Sequence, residues 1–212
     1  MEIEVLEKAG NQLRFALKDS YPAFANALRR IMVSEIPCMA VEDVFIYESS
    51  SSMSDEMIAH RLALVPIKTD LDSYVLPEEC TCKSEMGCNK CRAIVSLEAE
   101  AHDAVETVYS GVLKFEDKQL GPVTDNIILL KLAPGQRIRL EAHAKLGRGK
   151  QHAKWQPVTA CAYKITDRDS ASFEFFVETT GCLPPERVIT EAVDVLVGKV
   201  DELTAEVKKL KG

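Results

Sequence analysis

The sequence predicts an α+β protein: one domain made from both ends of the chain, each end carrying a long helix, with a second domain of mostly strand and loop inserted between. Three observations predict it. Helical periodicity gathers near the two ends, the middle alternates in short strand-like runs broken by turn residues, and no repeat or low-complexity linker interrupts the chain.

Each element follows from local chemistry. Residues 2–7 and 12–18 alternate as strands, and Gly10-Asn11 between them supplies a hairpin turn. A helix is expected over 20–35, with Ser20 as N-cap, Pro22 in the first turn and Tyr21, Phe24, Leu28 and Met32 on one face. Pro37 stops it, and 39–48 alternates again. Ser54 begins a second helix that ends before Pro66, and 71–91 is irregular and rich in cysteine and charge. Strands are expected at 92–101, 136–146, 158–165 and 172–179, with 147–155 as a loop. A last helix runs over 185–210, with Glu186 at its positive end and Lys208, Lys209 and Lys211 at its negative end.

In that last helix Ile189, Val193, Leu196, Val200, Leu203, Val207 and Leu210 recur at alternating steps of four and three, the seam of a helix packed lengthwise on another. About 26 residues at about 1.5 Å each make a rod of about 39 Å, long for this chain to cover by itself. Two readings stand at this level: the seam covers the chain's own sheet and first helix, or it is shared with another subunit.

With 212 residues, 46% hydrophobic and 28% charged, the chain can build a core and is not of disordered composition. Its net charge of -7 makes unaided, specific nucleic-acid binding a poor expectation, because that affinity comes largely from neutralising phosphates. No run approaches the roughly 20 apolar residues that span a bilayer, and the start lacks the basic and apolar regions of a signal peptide. A cytoplasmic protein with no membrane partner is expected.

Cys80, Cys82, Cys88 and Cys91 form C-x-C-x5-C-x2-C. Four soft thiolates close in sequence suit tetrahedral zinc, and four protein ligands leave no open position, so the metal would be structural. Free thiols and iron–sulfur ligation are the alternatives. Lys83, Lys90 and Arg92 would offset part of the thiolate charge, and Gly87 gives the backbone freedom to turn. Cys38, Cys161 and Cys182 stand alone among apolar or turn residues and read as buried thiols.

No catalytic constellation is legible. His60, His102, His143 and His152 lie outside any H-E-x-x-H pattern, and Gly147-Arg148-Gly149-Lys150 lacks the spacing of a phosphate loop. The loop through Trp155 mixes basic residues with an aromatic anchor, which suits an interface or a core tryptophan under a solvated loop.

Several segments together resemble one family, the D subunits of archaeal DNA-directed RNA polymerase, relatives of the eukaryotic third-largest subunit and the bacterial α subunit. They are Phe24-Ala25-Asn26-Ala27-Leu28-Arg29-Arg30-Ile31-Met32 through Ile36-Pro37, His60-Arg61-Leu62-Ala63-Leu64-Val65-Pro66-Ile67, Gly147 through Pro157, and Phe173 to Gly181 with the helix after it. The resemblance implies a discontinuous dimerisation domain, a sheet plus two long helices, over 1–46 and 168–212, with an inserted, mostly β domain over 47–167. It implies a non-catalytic scaffold subunit that pairs with subunit L and then meets subunits N and P and the large subunits. It implies a partner interface of Phe24, Leu28, Met32, Val193, Leu196, Val200, Leu203 and Val207. Arg29, Arg30, His60, Arg61, Lys154 and Trp155 are the candidates for large-subunit contact. The cysteine loop falls where eukaryotic relatives carry zinc. The chain departs from many archaeal members, which hold an iron–sulfur domain where this one has only Thr166 to Ala171, so no iron–sulfur cluster is expected. The competing readings are a homodimeric binding module with a structural zinc loop and a free-standing zinc enzyme.

Overall fold

The computed structural model describes residues 1–84, 86–167 and 171–210. The expected boundary at 168, residues 168–170 of the 166–171 connection and Lys211 lie outside the described residues.

In chain order the elements are β1 (Glu2–Ala9), β2 (Gln12–Lys18), α1 (Pro22–Ser34), β3 (Pro37–Ser49), α2 (Asp55–Ala63), β4 (Ala93–Glu100), β5 (Glu106–Tyr109), β6 (Lys114–Phe115), β7 (Ile128–Leu132), β8 (Arg137–Arg148), β9 (Val158–Asp167), β10 (Ser172–Thr179) and α3 (Pro185–Lys209). They form two compact units, Met1–Ile36 with Arg148–Gly212, and Pro37–Gly147. These units divide at 36/37 and 147/148, where the expected boundaries stand at 46/47 and 167/168. Strand β3 lies beside β8, which puts 37–46 in the inserted unit, and β9 lies beside β10, which puts 148–167 in the first.

The first unit is an antiparallel sheet in the order β1-β2-β10-β9. Period-two alternation decides its faces. Leu13, Phe15 and Leu17 of β2 and Phe173, Phe175 and Val177 of β10 point into the core. Phe15 sits opposite Phe175, and their rings stack with centroids 4.8 Å apart. Each such side chain contributes about 1.5–3 kcal/mol on burial. The opposite face is charged: Arg14 bonds Glu7 at 3.1 Å and also Glu174, and Lys164 reaches Glu174 at 2.9 Å. These cations, Lys164 first and then Arg14, hold the Glu174 carboxyl below its ordinary range. Helix α1 packs on β9 and α3, and α3 also packs on β2 and β10.

One expected cap is corrected. Tyr21, in extended backbone, takes the N-cap position of α1 and makes no side-chain cap bond. Ser20 is one residue too early; its buried hydroxyl has no hydrogen-bond partner among the described residues.

The second unit holds the sheet β3-β8-β4-β6 and the pair β5-β7. Its core gathers Met39 and Val41 of β3, Ile58 and Leu62 of α2, Val95 and Leu97 of β4, and Leu140 and Ala142 of β8. No helix among the described residues is long and apolar enough to cross a membrane.

Candidate functional site

In the second unit the irregular segment before β4 brings Cys80, Cys82, Cys88 and Cys91 together, all four sulfurs lying within 4.8 Å of one another. Cys80 Sγ is 3.7 Å from Cys88 Sγ, Cys82 Sγ is 3.8 Å from Cys91 Sγ, and Cys91 Sγ is 3.9 Å from Cys88 Sγ. Four sulfurs about 2.3 Å from a central zinc stand about 3.8 Å apart in a tetrahedron, so the spacing fits the group the cysteines suggest. The backbone is shaped for it. The N–H groups of Cys91 and Arg92 both donate to the Cys88 carbonyl at 2.9 Å, and the Cys88 N–H points at Cys91 Sγ at 3.2 Å. Gly87 turns at φ +75°, and a Cβ there would stand 3.2 Å from Cys91 Sγ, so both conformation and space call for glycine.

The thiols are unlike one another. A backbone N–H from Lys90 stabilises the Cys88 thiolate and brings that thiol down to about 7, whereas burial pushes Cys91 up to about 12. A bound cation would displace the remaining protons, because cysteine ligates as thiolate. The four cysteines can therefore hold a metal ion. Cys38 and Cys182 are buried as expected, and Cys161 is half-buried, its thiol pushed up to about 11 by burial.

The two apolar stripes of the first unit have different fates. On α1, Leu28 and Met32 are 1% and 0% exposed, sealed inside their own chain. Helix α1 packs there on β9 and α3. Phe24 is half-buried, with Tyr21 edge-on to its ring. On α3, the buried residues, Pro185, Val188 and Ala192, all lie in the first half. Leu196 is half-buried, and every residue from Val197 to Leu210 is exposed. Along that stretch and just before it, Val193, Val200, Leu203, Val207 and Leu210 stand 37–85% exposed on one side of the helix.

A loop ties the ends of this region. The Lys150 N–H donates to the Ser34 carbonyl at the end of α1 at 2.8 Å, and Lys199 of α3 reaches Glu35 at 2.8 Å. A Cβ on Gly149 would lie 2.7 Å from the Val33 carbonyl oxygen and 2.9 Å from Gln156 Cγ. The Gly-Arg-Gly-Lys segment is thus a close crossing over the end of α1. That structural use was not legible in the sequence, because the clash is with backbone far away along the chain.

The candidates for large-subunit contact scatter. Arg30 and His60 are exposed. Arg29 bonds Asn26 at 3.1 Å, and Arg61 donates to the Ile128 carbonyl at 2.7 Å, bracing α2 against β7. Trp155 is buried, and the Lys154 ammonium lies 4.3 Å from its ring centroid as a cover.

Comparison with known proteins places this architecture. Residues 44–163 match the family described as the RNA polymerase Rpb3/RpoA insert domain. Among relatives, DNA-directed RNA polymerase subunit Rpo3 of Methanocaldococcus jannaschii is 38% identical over 210 residues, 96% of this chain and 94% of its own length. Rpo3 of Pyrococcus furiosus is 34% identical over 266 aligned positions, 99% of this chain and 98% of the relative. Rpo3 of Methanosphaera stadtmanae is 45% identical over 166 residues, 77% of this chain but 61% of the relative's length. The chain belongs to the Rpb3/RpoA family of RNA polymerase subunits, in its Rpo3 branch. The Pyrococcus alignment has at least 54 more positions than this chain has residues, 266 against 212, whereas the Methanocaldococcus relative needs no such extension.

Proposed function

We propose that this chain is a non-catalytic assembly subunit of DNA-dependent RNA polymerase, which pairs with subunit L and so nucleates binding of subunits N and P and of the large subunits. The observation that carries the reading is the exposed apolar ridge Val200, Leu203, Val207 and Leu210 on the distal half of α3. A ridge of this kind, on the exposed distal half of a helix, is the kind of surface a partner helix covers. The sheet, α1 and α3 form the pairing domain, and the inserted unit carries the cysteine loop. In this reading the loop holds zinc, four thiolates close it to substrate, and the ion replaces the apolar core that so short a segment lacks. Chemistry resides in other subunits, the chain works in the cytoplasm, and it makes no specific nucleic-acid contact of its own.

The test is co-expression with subunit L followed by mass measurement of the purified species. A stable one-to-one complex is expected. A chain that stays monomeric beside subunit L would overturn the reading, and a homodimer indifferent to L would replace it with a self-pairing module.

A further inference from the structure

Strand β1 is open on both faces and along one side. It is the outer strand of its sheet, with β2 as its neighbour, and all eight of its residues are exposed. The strand at the other edge, β9, is packed by α1. An open edge presents a row of unpaired N–H and C=O groups, a template for another strand.

The register fixes which side chains flank that row. Glu2, Glu4 and Glu7 lie opposite Lys18, Ala16 and Arg14, on the face turned from the core. Ile3 and Val5 lie opposite Leu17 and Phe15, which are fully buried. Ile3 and Val5, 53% and 61% exposed, therefore prolong the apolar face of the sheet beyond what the chain covers. A bulge between Val5 and Glu7, followed by Lys8 held in an ion pair with Glu186, breaks the regular edge. Glu2 to Val5 is the open register.

We infer that this edge accepts an extended segment of another subunit as a fifth strand, and that the segment alternates Lys or Arg with aliphatic residues. Main-chain bonds would supply affinity, and alternate side chains the choice of partner. The charge row makes that choice. A second copy of β1 would set carboxylates against carboxylates, which is destabilising between directly opposed residues, whereas a basic row meets Glu2 and Glu4 favourably. Lys18 sits 2.5 Å from Glu4 one strand inward, and Glu4 keeps further lone pairs for a second donor. On the other face, aliphatic residues of the incoming strand would extend the row Phe15–Val5 and Leu17–Ile3.

The inference rests on the reading of this chain as a subunit of a larger enzyme, and amide hydrogen exchange separates the two. In the assembled polymerase, amides of Glu2 to Val5 should exchange roughly 10-fold or more slowly than in the full chain alone. Glu2→Lys with Glu4→Lys should abolish that protection while the chain remains in the enzyme. Equal exchange in the free and assembled chain overturns the inference, as does protection that survives the charge reversal. Protection that grows with concentration of the isolated chain would identify a second copy as the occupant and overturn it too. A chain that fails to enter the polymerase at all overturns the functional reading itself.

Discussion

Helix α1 and the distal half of α3 carry the same signal in sequence, aliphatic residues at steps of three and four, yet one stripe is sealed and the other bare. Met32 is inaccessible, while Leu203 is 65% exposed. The difference is what lies opposite. Helix α1 has β9 on one side and α3 on another, whereas α3 is exposed all round after about three turns. Periodicity reports that a face wants cover; only the tertiary structure says whether the chain provides it.

This contrast can be broken from either side. The largest effect is expected at Met32→Asp, which buries an uncompensated carboxylate: the chain should lose its cooperative unfolding transition, and even Met32→Ala should cost about 2–5 kcal/mol in urea unfolding. If that variant instead keeps full stability and loses only pairing, α1 belongs to the partner face after all. Leu203→Asp should do the reverse. Affinity for subunit L should drop by roughly 100-fold, as expected of a central interface anchor, with the melting temperature of the isolated chain unchanged; unaltered affinity by calorimetry would take Leu203 out of the interface.

Between these extremes, Gly149→Ala should cost about 1–3 kcal/mol through overpacking against the Val33 carbonyl, read as a lowered urea midpoint. A normal midpoint would mean that the loop yields without strain. Cys88→Ser with Cys91→Ser should strip the metal, measured by elemental analysis, and loosen 80–91 to protease while leaving affinity for subunit L intact. Acidification should release the same metal from the unmodified protein, because protons compete for the thiolates. Loss of pairing in the double serine variant would contradict the division of labour between the two units. The smallest effect is expected at Glu35→Gln, which removes a half-exposed ion pair with Lys199 worth at most about 1 kcal/mol.

Much of this architecture is legible in the sequence, for identifiable reasons. The hairpin of β1 and β2, the three helices and the strands at β4 and β8 to β10 follow from alternation, proline and glycine. The cysteine cluster is legible because its ligands are local. What escapes is non-local or short. Strands β5, β6 and β7, of four, two and five residues, are too brief for a period to emerge. The burial of Leu28, Met32 and Trp155 within the chain was not legible, because an aliphatic or aromatic side chain suits a core and an interface equally. Strand β1 as an open edge was equally invisible, since strand order depends on β10 pairing with β2 across some 160 residues.

That pairing governs how the polypeptide reaches its native state. Pro37–Gly147 is continuous and can condense from its own segments, whereas β2 and α1 wait for β10 and α3, which emerge from the ribosome much later. At synthesis rates of about 5–20 residues per second, Phe15, Leu17, Leu28 and Met32 stay without their sheet for several seconds or more. Those residues mark the interval in which a nascent chain is exposed to chaperones and to aggregation, and slow translation through the inserted unit would lengthen it.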